Sequence, residues 1–103
     1  MAYKLEVTPE AEQDTDKIVK YMVEKLINHS AATRFLDDVN ESYQRIEKNP
    51  HMYCLCQDPR LQDMGYRKVV IKNYLILYRI DEISNTVYVV RIVYGGRNYT
   101  EMV

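Results

Sequence analysis

At 103 residues, with 47% apolar and 28% charged side chains, the chain has room for one domain over 1–103 and the balance of a globular protein rather than a disordered tail. A net charge of -1 excludes a protein that holds nucleic acid by bulk phosphate neutralisation, which needs many basic residues acting together. No apolar run is long enough to span a bilayer and the opening MAYKLEV lacks the pattern of a signal peptide, so a cytoplasmic protein without membrane contact is expected.

Tyr3 to Val7 alternates apolar with charged residues, the pattern of a short strand with one buried face. Thr8-Pro9 then starts a helix, the hydroxyl as cap and proline at the first helical position. Glu10, Glu12, Asp14 and Asp16 suit the positive end of its dipole and read as a solvated face. The apolar stripe is Ala11, Thr15, Ile18, Met22 and Leu26, with Val19 beside it.

Asn28-His29-Ser30 breaks the pattern, and Asn28 or Ser30 caps a second helix with the stripe Ala32, Phe35, Leu36, Val39, Tyr43 and Ile46. Asn49-Pro50 stops it. Residues 51 to 65 lack a period and predict a loop with at most one helical turn.

Tyr66 to Ile71, Tyr74 to Ile80 and Thr86 to Val93 predict three strands, separated by turns at Lys72-Asn73 and Asp81 to Asn85. The expected fold is therefore α+β, in the order β-α-α-β-β-β, with a helical hairpin on one face of a mostly antiparallel four-stranded sheet. Because the last two strands carry one charged residue each, Arg79 and Arg91, both sheet faces read as apolar. The hairpin covers one. The other needs the 51–65 loop, the carboxy-terminal tail, a second copy of the chain or another partner.

Signatures of chemistry are few. The three glycines form no phosphate loop, and there is no nucleophile elbow or paired-histidine motif. His51, Cys54, Cys56 and Asp58 match no common zinc spacing, so no metal or cofactor is expected, and the cysteines read as reduced structural thiols. His29 and His51 read as exposed loop residues.

The charge is uneven: residues 1–59 hold 7 Lys+Arg against 11 Asp+Glu (-4), residues 60–103 hold 7 against 4 (+3). In the second half Arg67, Lys68, Lys72, Arg79, Arg91 and Arg97 interleave with six of the ten tyrosines. Two readings of that interleaving stand: phosphates positioned and bases stacked, or arginines paired with carboxylates over a tyrosine-rich core.

The layout, with SYQRIEKNPHMY, DPRLQDMGYRKVVIKNYLILYRID and VYVVRIVYGGRNY in order, resembles the RelE/ParE superfamily of toxins from bacterial type II toxin-antitoxin modules. The most specific pieces are Gly65-Tyr66-Arg67, Asn73-Tyr74 followed by Tyr78-Arg79, and the run from Arg91 to Arg97. The resemblance implies a growth inhibitor of a plasmid-stabilisation module, silenced by a cognate antitoxin that lays acidic side chains against Arg67, Arg79, Arg91 and Arg97. RelE-like members cut messenger RNA on the ribosome, and that activity would fall to Arg67, Lys68, Arg97 and Tyr99. Leu75 and Val103, however, stand where RelE-like members carry an arginine and a late tyrosine. ParE-like members inhibit DNA gyrase by binding, and the Tyr78-Arg79 and Arg91 to Arg97 segments, the short tail and the weak net charge favour that subgroup.

Overall fold

The computed structural model describes residues 3–95. Strand β1 (Lys4–Val7) leads into helices α1 (Pro9–Glu24) and α2 (His29–Lys48), followed by the short α3 (Pro59–Asp63) and strands β2 (Arg67–Ile71), β3 (Tyr74–Asp81) and β4 (Thr86–Tyr94). The sheet order is β1-β4-β3-β2, with β1 parallel to β4 and the other pairs antiparallel. This is the expected β-α-α-β-β-β fold.

The helix boundaries have local causes. Thr8 Oγ1 accepts from the Ala11 amide at 3.2 Å and donates to the Val90 carbonyl at 3.1 Å, so the cap of α1 also fixes it to β4. Ile27 turns the chain with a φ of 47°, and Asn28, rather than Ser30, caps α2 through the Ala31 amide. The Asn49-Pro50 stop falls where expected. Leu26 does not continue the α1 stripe: the helix ends at Glu24 and Leu26 is exposed beyond it.

Two apolar cores result. On the hairpin side, Ala11, Met22, Phe35, Val39 and Ile46 pack against Ile76, Tyr78, Val87 and Val89. On the far side, Cys56, Leu61 and Tyr66 pack against Leu75, Leu77 and Val93. Of the covers that the sequence leaves open for this second face, the 51–65 segment, carrying α3, is the one that folds over it. Asp58 makes that possible by capping α3 through the Arg60 and Leu61 amides.

One irregularity matters for the site. The β3–β4 register jumps between Leu77 (opposite Arg91) and Tyr78 (opposite Val89), leaving Val90 as the extra residue of a bulge. Bulges re-aim the side chains beside them. Here the neighbour is Arg91.

Candidate functional site

The arginines of the second half occupy distinct environments. Arg91 donates from Nε to Asp14 Oδ2 at 2.7 Å and from Nη2 to Oδ1 at 3.0 Å. The same Oδ2 accepts the Ile92 amide at 3.0 Å. β1 ends opposite Val89, so among the described residues the outer edge of β4 beyond that point has no strand neighbour. The Asp14 carboxylate supplies the acceptor that a further strand residue would have supplied. This corrects the reading of the acidic first helix as solvated throughout: Asp14 is buried, and its carboxylate raises the pKa of Arg91, keeping that guanidinium charged. A signal existed in the sequence, since Asp14 lies three residues after Ala11 and four before Ile18, on the apolar stripe.

Arg67, the first residue of β2, donates from Nη1 to the carbonyls of Tyr53 and His51. It therefore pins the segment that follows α2. Tyr78 does the same from inside the core, its fully buried hydroxyl donating to the Pro50 carbonyl at 2.7 Å. Burial holds its phenol well above the ordinary pKa.

Arg79 lies over the ring of Tyr88, 4.6 Å from its centroid, a cation–π contact within the sheet. Lys68 is half-buried beside Cys56, whose thiol is pushed up by burial. Cys54 is exposed and both cysteines are free. Arg97 and Tyr99, and the tail position Val103, lie outside the described residues. Among the described candidates the fold does not bring Arg67, Lys68, Arg79 and Arg91 into one hydrogen-bonded cluster.

The interleaving of arginine and tyrosine thus has a structural account at Arg67, Arg79 and Arg91. Each is engaged by a carbonyl, a ring or a carboxylate of its own chain.

A second cluster was not foreseen. His51 Nε2 donates to Glu82 Oε1 at 2.6 Å, Tyr3 donates to Glu82 Oε2 at 3.1 Å, and the Tyr3 and His51 rings meet edge to face. The hydrogen bond from His51, then that from Tyr3, lowers the Glu82 pKa. Partial desolvation and the bond to Glu82 raise the Tyr3 phenol. Its members are 31 and 79 residues apart in sequence, so only the fold reveals it. It ties the start of β1, the segment after α2 and the β3–β4 turn together.

A groove of about 580 Å³ runs between α1 and the far end of β4. Ile18, Tyr21, Tyr74 and Tyr94 line it with Lys17, and Asp14 forms part of its wall. Among the described residues no three His, Cys, Asp or Glu side chains are grouped to hold a metal ion, and no helix is long and apolar enough to cross a membrane.

Solved structures share the fold: the toxin-antitoxin complex RelBE2 from Mycobacterium tuberculosis (21% identity, TM-score 0.66, covering 91% of this chain and 99% of that one) and the chromosomal ParDE system from P. aeruginosa (19%, TM-score 0.70, 89% and 95%). A double mutant of E. coli toxin RelE in the free state is similar at 15% identity and a TM-score of 0.63, covering 99% of this chain and 93% of that one. No curated protein matches the sequence. The family model described as the ParE toxin of the type II toxin-antitoxin system parDE matches residues 5–99, and the chain therefore belongs to the ParE toxin family of type II toxin-antitoxin modules.

Proposed function

We propose that this toxin arrests growth by binding DNA gyrase in the cytoplasm, without hydrolysing RNA, and that a cognate antitoxin neutralises it by covering its surface. The observation that carries the reading is the engagement of Arg67, one of the residues to which RelE-like cleavage would fall. A ribonuclease without metal needs cationic donors aimed at the charge that develops on the phosphate. Arg67 is aimed instead at two backbone carbonyls and Arg91 at Asp14, so both hold the fold together. Leu75, where RelE-like members carry an arginine, is buried under α3 as part of the second core. The tyrosine-lined groove beside β4 offers aromatic anchors of the kind that dominate protein interfaces.

The test is induced expression in a bacterium carrying a reporter plasmid. Growth should arrest, co-expression of the antitoxin encoded beside the toxin should relieve it, and plasmid from arrested cells should lose negative supercoils. Arrest with normal supercoiling and cleaved messenger RNA would instead assign the chain to the ribosome, with Arg67, Lys68, Arg97 and Tyr99 as the residues to substitute.

A further inference from the structure

We propose that the outer edge of β2, centred on Val70, is a docking strand that accepts an extended, acidic segment of a protein partner as a fifth strand of the sheet. The proposal rests on the reading that this chain acts through protein partners, and adds where and by what chemistry one of them is held.

β2 is the last strand of the sheet. Its first half already has an outer neighbour: Leu55 bridges Arg67, the Cys56 amide donates to the Tyr66 carbonyl at 2.9 Å and the Lys68 amide to the Cys54 carbonyl at 3.3 Å. These bonds fix which backbone groups face outward, namely those of Tyr66 and Lys68. Two residues on, Val70 presents its amide and carbonyl the same way, because strand geometry repeats every second residue. The β2–β3 register agrees: Ile71 pairs with Tyr74 across the Lys72-Asn73 turn, and Val70 lies between the positions that bond to β3. Among the described residues no strand lies beyond Val70.

The side chains state which occupant fits. Val70 is 63% exposed, an apolar residue on the outer edge of the sheet. Lys68 lies two residues before it and Lys72 two residues after. A second copy of the chain is disfavoured by charge: antiparallel pairing of Val70 with its own copy brings Lys68 of each strand towards the other copy's Lys72 in the β2–β3 turn, and like charges brought together oppose pairing. Edge lysines guard sheets against self-association in this way. The same pair attracts a strand with an apolar residue opposite Val70 and carboxylates on either side. Main-chain bonds would hold such a strand and the lysines would set its register.

The experiment is an amide NMR titration of the full chain with an acetylated, amidated peptide in which valine alternates with glutamate, against the same peptide with lysine for glutamate. The acidic peptide should shift the amides of Lys68 and Val70, and bind about tenfold more tightly than the basic one. The double variant Lys68→Glu, Lys72→Glu should reverse that preference. Val70→Pro removes the outward donor without touching a bond to β3, so it should abolish binding while circular dichroism remains native. Failure of both peptides to bind, equal binding of the two, shifts confined to another surface, or native-like binding by Val70→Pro would each overturn the proposal. So would dimerisation of the free chain that Val70→Pro abolishes. None of these readouts uses gyrase, antitoxin or growth, so failure here is distinguishable from failure of the proposed function.

Discussion

Asp14 holds Arg91 through both carboxylate oxygens, at 2.7 and 3.0 Å, and takes the neighbouring Ile92 amide with one of them. The bulge at Val90 lies beside Arg91, and the termination of β1 opposite Val89 leaves the Ile92 amide in need of an acceptor. Side-chain exposures of 11% for Asp14 and 22% for Arg91 make this a largely desolvated pair. Removing the carboxylate takes two charge-assisted bonds from the guanidinium and leaves the Ile92 amide without its acceptor. Asp14→Ala should cost about 2–4 kcal/mol by urea denaturation. Because the groove beside β4 shares this residue, the loss should also show as line broadening at Tyr74 and Tyr94. A cost below about 0.5 kcal/mol would mean that the pair is dispensable.

Ile27 should be a site of easy stabilisation. It turns the chain between the two helices at a φ of 47° while 77% exposed, so a β-branched side chain bears left-handed strain with little packing in return. Asparagine tolerates that conformation. Ile27→Asn should raise stability by about 0.5–1 kcal/mol, read as an increase in Tm by calorimetry.

The elements were legible because their causes are local. Thr8-Pro9, Asn28 and Asn49-Pro50 mark helix ends through hydrogen bonds a few residues long, and the apolar stripes of α2 and the strands set which face is buried. What escaped depends on contacts distant in sequence. Asp14 is one of four acids in two turns, and only the position of α1 beside the unpaired end of β4 separates it from Glu10, Glu12 and Asp16. The 51–65 segment covers the second face because Leu61 and Cys56 meet Leu75 and Leu77, a match that its lack of period concealed. Arg67 was visible as a candidate, but the carbonyls it serves belong to Tyr53 and His51.

Tyrosine ionisation should unfold the protein at alkaline pH. Burial pushes Tyr43 from 10.0 up to about 12, and Tyr78 is raised for the same reason. The native state therefore binds these protons more tightly than the unfolded chain. The stability involved is fully present below pH 10 and lost as pH rises towards 12. Tyrosinate absorbance followed with circular dichroism should show the last tyrosines ionising only as structure is lost. Ionisation of all ten near pH 10 with the fold intact would contradict the burial of Tyr78.

Glu82 has the opposite sign. Hydrogen bonds from His51 and Tyr3 hold its carboxyl below the ordinary value of 4.5, so its contribution is present above that pH and is lost as pH falls through the lowered value. Wild-type protein and Glu82→Gln should differ in Tm at neutral pH and converge in acid. The group is exposed and the difference should be small. A gap that widens on acidification would rule out the clasp.

We propose gyrase as the target of this ParE-family toxin, whose Arg67 and Arg91 are engaged within its own fold. One protein preparation added in parallel to a gyrase supercoiling reaction and to ribosomes translating a defined messenger tests it most directly. The expected result is concentration-dependent loss of supercoiling with the messenger intact. Codon-positioned cleavage of the messenger, with supercoiling unaffected at the same concentration, would contradict it.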